Sequence, residues 1–171
     1  MATGAKILLG HGVVSVNGTP IGLTRGGSAF NLERTFRPIP ADGDKGLVQG
    51  RIDLDEENAK LTVNALEIFR VAEIRRYFPA LSVTPGGGAT PTTDIITSTL
   101  AIISADYVSV TWTGQTRDGK GVVIALSNAI NMANIDWELA DRTEVIPVLE
   151  FSATYTEAAR NTPPWTITYT R

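Results

Sequence analysis

The 171-residue chain contains no cysteine, so disulfide staples, thiolate metal sites and cysteine nucleophiles are all excluded. It has a single histidine, His11, between Gly10 and Gly12. A zinc site therefore has no second imidazole, and a Ser-His-Asp triad would depend on that one residue. His11 reads as a surface residue near a terminus. No run approaches the roughly 18 apolar residues that a membrane helix requires. The apolar stretch Ile7-Leu8-Leu9 is too short for a signal-peptide core and has no evident cleavage site, so the product is expected to be made in a cytoplasm and to stay soluble. No Lys/Arg run occurs and the net charge is −3, so the electrostatic footprint of a nucleic-acid binder is missing. What remains is an ordinary globular balance, 43% hydrophobic and 19% charged, which argues against disorder.

The dominant signal is alternation with a period of two, the mark of half-buried strands. His11–Val16 and Thr19–Thr24 flank Asn17-Gly18, a type I′ hairpin signal. Phe30, Leu32 and Phe36 alternate with Asn31, Glu33 and Arg37, with Arg34 interrupting the apolar side. Pro38-Ile39-Pro40-Ala41-Asp42-Gly43-Asp44-Lys45-Gly46 is a loop, stiff at its start and flexible at its end. Val48, Ile52 and Leu54 resume the alternation, Glu56-Glu57-Asn58 reads as a polar turn, and Leu61, Val63 and Ala65 form the return strand. Asn64 with Glu67 resembles a capping box, which predicts one helix over 65–78, ended by Pro79. Residues 82–93, with Gly86-Gly87-Gly88, read as a flexible loop, and Ile95–Ile103 as a strand. Tyr107–Thr113 and Gly121–Leu126 form a hairpin across Arg117-Asp118-Gly119-Lys120. Ile135, Trp137 and Leu139, then Leu149 to Tyr155, then Trp165 to Tyr169, alternate to the end.

About eight to ten strands with one helix follow from these patterns. Short turns imply antiparallel pairing. The expected fold is mainly β, two packed antiparallel sheets in a sandwich or barrel-like arrangement with one flanking helix, and a single domain over 1–171.

Chemistry is sparse. Asp42 and Asp44, and Asp53 and Asp55, lie two apart, but no calcium-loop pattern surrounds them and solvated turn charge is the plainer reading. The glycine triplet lacks the Lys-Ser/Thr ending of a phosphate loop. No serine sits in a Gly-x-Ser-x-Gly elbow. Trp112, Trp137 and Trp165 each fall on an alternating face; they suit core or interface filling, or else a sugar-stacking platform of a carbohydrate-binding or adhesion module. The residues therefore suggest no catalytic, cofactor-binding or metal site, and no enzyme.

The run from Val16-Asn17-Gly18-Thr19-Pro20 through Arg25-Gly26-Gly27 leads into a long alternating hairpin, Phe30 to Leu54. A strand, a short helix and a β-rich second half with Ile146-Pro147-Val148-Leu149-Glu150-Phe151-Ser152-Ala153 follow. This order resembles the tail tube (major tail) proteins of long-tailed phages, which are related to the tube proteins of contractile injection systems. The resemblance implies a virion structural protein that self-assembles into stacked hexameric rings around a lumen for DNA ejection. It implies contacts with tail terminator, tail tip or baseplate proteins, a tape measure protein and a chaperone, without specific DNA binding. Carried onto this chain, it places Pro38, Ile39, Pro40, Asp42, Asp44 and Lys45 at contacts between rings. Asp53, Asp55 and Lys60, read as polar faces of adjacent strands, become candidates for the lumen.

Overall fold

The computed structural model describes residues 6–67, 73–88, 90 and 92–171. The fold is mainly β and antiparallel, with two sheets and one short helix among the described residues. Ten strands occur among the described residues. In chain order they are β1 (Leu8–Val16), β2 (Thr19–Pro20), β3 (Thr24–Pro38), β4 (Ile52–Ala65), β5 (Leu81–Pro85), β6 (Asp94–Ser98), β7 (Val108–Thr116), β8 (Gly121–Asn131), β9 (Val148–Ala153) and β10 (Trp165–Tyr169). The large sheet runs β2-β1-β7-β8-β9-β4-β3, and β10 also pairs with β8. The long strand β8 thus shares one border between β10, at Val122 to Leu126, and β9, at Ala129 to Asn131. The sheet curls, because Leu8 of β1, Phe30 of β3 and Leu61 of β4 line one cleft with Trp112, Ile124 and Ile167.

Alternation explains what the curled sheet buries. Leu61 and Val63 of β4, Val110 and Trp112 of β7, Ile124 and Leu126 of β8, and Leu149 and Phe151 of β9 all point into one core. The Asn17-Gly18 turn forms as expected, with φ of 49° and 79°, and pairs Val16 with Thr19. Trp112 fills its place by lying over two glycines. Gly12 and Gly114 are cross-strand partners, and a Cβ at either would stand 2.5 or 2.2 Å from the indole.

Several elements differ from the sequence reading, each for a hydrogen-bonding reason. β4 runs unbroken through Glu56, Glu57 and Asn58, which pair with Thr35, Arg34 and Glu33; the expected turn is only a bulge at Asp55. Val48 and Gln49 belong to the loop, which extends to Arg51. Asn64 caps no helix, because it pairs with Val148 inside β4, and Leu66 donates its N–H to the Leu23 carbonyl. The helix α1 covers Ile74–Tyr77, and the expected stretch 68–72 lies outside the described residues. Ser82–Pro85 are strand, not loop, paired with Asp94–Thr97. The next strand ends at Ser98, where Thr99 turns to donate to the Ala80 carbonyl. The Thr19–Thr24 strand shrinks to β2, two residues long. Ile135, Trp137 and Leu139 form no strand; Trp137 instead packs edge-on against Phe78, ring centroids 6.3 Å apart.

Two buried polar groups hold α1 in place, Asp106 in the turn before β7 and Asn131 of β8. Asp106 is fully buried and receives both the Nε and Nη2 of Arg75, at 2.6 and 3.1 Å, with the Ile103 N–H at 2.8 Å. Burial alone would raise its carboxyl; the Arg75 guanidinium and the Ile103 and Ala80 backbone outweigh that and hold it below the usual carboxylate value. Arg75 also donates to the carbonyls of Leu81 and Ala101. The buried Asn131 donates to the Tyr77 carbonyl and accepts the N–H groups of Ala133 and Glu150.

Candidate functional site

The feature that stands apart from the core is the outer half of the β3–β4 hairpin, residues 34–55. There β3 and β4 pair only with each other, whereas β9 borders β4 only at Lys60 to Asn64. The hairpin is therefore an arm. Its strand pairing fixes two faces. Phe36 lies opposite Leu54 and Pro38 opposite Ile52, so these four share one face. Arg37 lies opposite Asp53 on the other. Phe36 is 58% exposed, Leu54 50% and Ile52 44%. An alternating ribbon normally buries its apolar side; this one carries it into solvent, continued at the tip by Ile39 and Leu47.

The polar face is electrostatically tied. Arg37 reaches Asp55 through Nε at 3.0 Å and Asp53 through Nη2 at 3.3 Å. The hydrogen bond to Asp55, then the charges of Asp55 and Asp53, hold this guanidinium protonated more firmly than a free one. At the arm's root, Arg34 pairs with Glu57 at 3.0 Å, and Glu57 also accepts the Trp165 indole N–H at 2.6 Å. The apolar-side interruption at Arg34 is thus a paired charge. Beside the root, Leu54, Glu57, Tyr155 and Pro163 line a groove of about 440 Å³.

The six expected contact residues sit together at the arm's end. Pro38 closes β3, and Ile39 donates its N–H to the Arg51 carbonyl. Pro40, Asp42 and Lys45 are exposed. Asp44 is different, because it organises the loop from within. One carboxylate oxygen accepts the Ala41 N–H at 2.7 Å and the other accepts Arg51 Nη2 at 2.7 Å. Gly43, at φ 90°, makes the tight return that brings Asp44 back to Ala41. Asp42 and Asp44 therefore do not converge on a common point for a cation.

The three expected lumen residues are brought together only in part. Asp53, Asp55 and Lys60 all lie on β4, not on adjacent strands. Asp53 and Asp55 share Arg37, whereas Lys60 lies farther along β4, where β9 borders it, and pairs with Glu150 of β9 at 3.4 Å. Among the described residues, no group of three or more His, Cys, Asp or Glu is placed to hold a metal. His11 is exposed on β1. Gly86 donates its N–H to the Thr93 carbonyl and simply closes the β5–β6 hairpin. The three tryptophans lie apart: Trp112 in the core, Trp137 against Phe78, and Trp165 tilted over Phe30 at 6.1 Å. They form no shared stacking platform.

The loop and the apolar set Phe36, Ile52 and Leu54 were read from the sequence; that this set projects beyond the neighbouring strands, and that Arg37 clamps Asp53 and Asp55, was missed. The alternation of Thr35 to Pro38 and Ile52 to Asp55 was readable, but that β9 borders β4 only from Lys60 onward was not, because no local pattern shows where a neighbouring strand ends. No family model matches the chain, and no curated protein matches its sequence.

Proposed function

We propose that this chain is a structural subunit of a phage tail tube, acting by self-assembly and without catalysis. The observation that carries the reading is the amphipathic arm. A two-stranded ribbon with Phe36, Ile52 and Leu54 in water is costly in isolation and gains by covering that face with another subunit. The order of strands along the chain, similar to tail tube proteins, supports the same reading. In it, six copies form a ring, rings stack, and the arm with Pro38 to Lys45 spans from one ring to the next.

Unsatisfied strand borders would find partners in neighbouring copies. Arg37 between Asp53 and Asp55 leaves the arm's polar face mixed in sign, a surface along which DNA could slide without being gripped. The partners would be further copies, the proteins that end the tail, and a tape measure protein. The site of action would be the virion tail.

Negative-stain microscopy of concentrated protein tests this reading: rings or hollow rods are expected. Deleting Asp42 to Lys45 should leave the far-UV circular dichroism unchanged and weaken stacking. Undiminished rods from the deletion would remove the loop from the contact.

A further inference from the structure

The two ends of β8 carry exposed apolar surfaces flanked by charge of opposite sign. At the start of β8, Leu8 and Ile167 stand at the mouth of an apolar cleft of about 370 Å³ whose lining includes Phe30, Leu61, Trp112 and Ile124. Leu8 is 48% exposed and Ile167 53%. Four cations surround this end. Arg117 donates its N–H to the Ile7 carbonyl, which places the Arg117–Lys120 turn beside Lys6. Thr170 donates its N–H to the Gly121 carbonyl, which places Arg171 there too. Among the described residues, none of these four takes part in an ion pair. The turn's one carboxylate, Asp118, accepts the Thr116 hydroxyl.

The other surface is the segment 132–147, which leaves the far end of β8, about 33 Å away at the usual rise per strand residue. Trp137, against Phe78, anchors it. Leu139 stands 82% exposed and Ile135 50%. Four acids accompany them. Asp136 and Glu138 are in no ion pair among the described residues. Asp141 meets only Arg142, both side chains 92% exposed, and Glu144 meets Arg25 at 2.9 Å.

We infer that the cleft end of one copy receives the 135–144 segment of a second copy, with Leu139 and Ile135 against Leu8 and Ile167 and the acids facing the cations. Charge complementarity selects a second copy as the occupant: a net basic rim around an apolar mouth meets a net acidic segment around two exposed aliphatic side chains. Because the two surfaces differ and lie at opposite ends, the contact is heterologous and propagates from copy to copy, closing as a ring or extending as a filament. It names a second contact, separate from the arm, and rests on the reading that copies of this chain associate.

Paired charge reversals provide the test. Arg117→Glu with Lys120→Glu should lower self-association at low salt by about tenfold or more in sedimentation velocity, and so should Asp136→Lys with Glu138→Lys. Mixing the two variants should restore association, since each reversed end then faces its complement. Raising salt to about 0.5 M should weaken the unaltered protein in the same sense. Restoration in the mixture also shows that both variants are folded. Rods that survive both reversals, or a mixture that stays dissociated, would overturn this contact and leave the tube reading standing. Unaltered protein that never associates would overturn both.

Discussion

The inner and outer halves of one hairpin obey the same alternation and meet opposite fates. In the inner half, Leu61 and Val63 of β4 are buried against β9 and the opposing strands. In the outer half, Leu54 and Ile52 of the same strand face water. The difference lies not in residue type but in what stands across from them. A strand pattern says which side chains share a face; whether that face is covered depends on where the neighbouring strands end. The body is therefore stabilised within the chain, and the arm's apolar face stands in solvent.

The comparison is broken most severely from the body's side. Phe151→Ala removes a fully buried ring from β9 and should cost about 3–5 kcal/mol in urea unfolding. Asp106→Ala should cost a similar amount, about 3–5 kcal/mol, because it strands the Arg75 guanidinium against the sheet. The same pair sets an acid limit. The folded carboxyl lies below its ordinary value of 3.8, so its contribution is complete above that value and is lost as pH falls through the lower folded one. Urea midpoints measured from neutral pH downward should therefore fall more gently in Asp106→Asn than in the unaltered protein. Gly114→Ala tests the close approach of Trp112 and should cost about 1–3 kcal/mol by overpacking, read by thermal unfolding.

The arm sharpens the contrast from the other side. Phe36→Ser with Leu54→Ser should change unfolding free energy by no more than about 0.5 kcal/mol each, since neither side chain is buried in the chain itself. Assembly in the same variant should be lost. A large stability loss would mean that the arm's face is covered within one subunit.

These contrasts also explain what was legible in the sequence. The Asn17-Gly18 turn, the β7–β8 hairpin and the inward sets on β4 and β9 were readable because local turn chemistry and alternation agree there. The Glu56 to Asn58 stretch was misread as a turn because polar residues on a two-faced ribbon look like a chain reversal when nothing reveals the partner strand. Ile135 to Leu139 alternates as a strand does, yet Trp137 is held by Phe78 of a distant element, which spacing cannot show. The contact residues Pro38 to Lys45 were legible as a loop from their Pro and Gly content. The Arg37 clamp on Asp53 and Asp55 was not: alternation puts the two carboxylates on one face, but which cation stands across from them depends on the register of β3 on β4.

The central claim is that the arm's exposed apolar face exists to be covered by another copy. Negative-stain microscopy of concentrated protein beside the Phe36→Ser, Leu54→Ser variant addresses it most directly. The account predicts rings or hollow rods from the unaltered chain and dispersed, folded subunits from the variant; dispersed subunits from both, or identical rods from both, would contradict it.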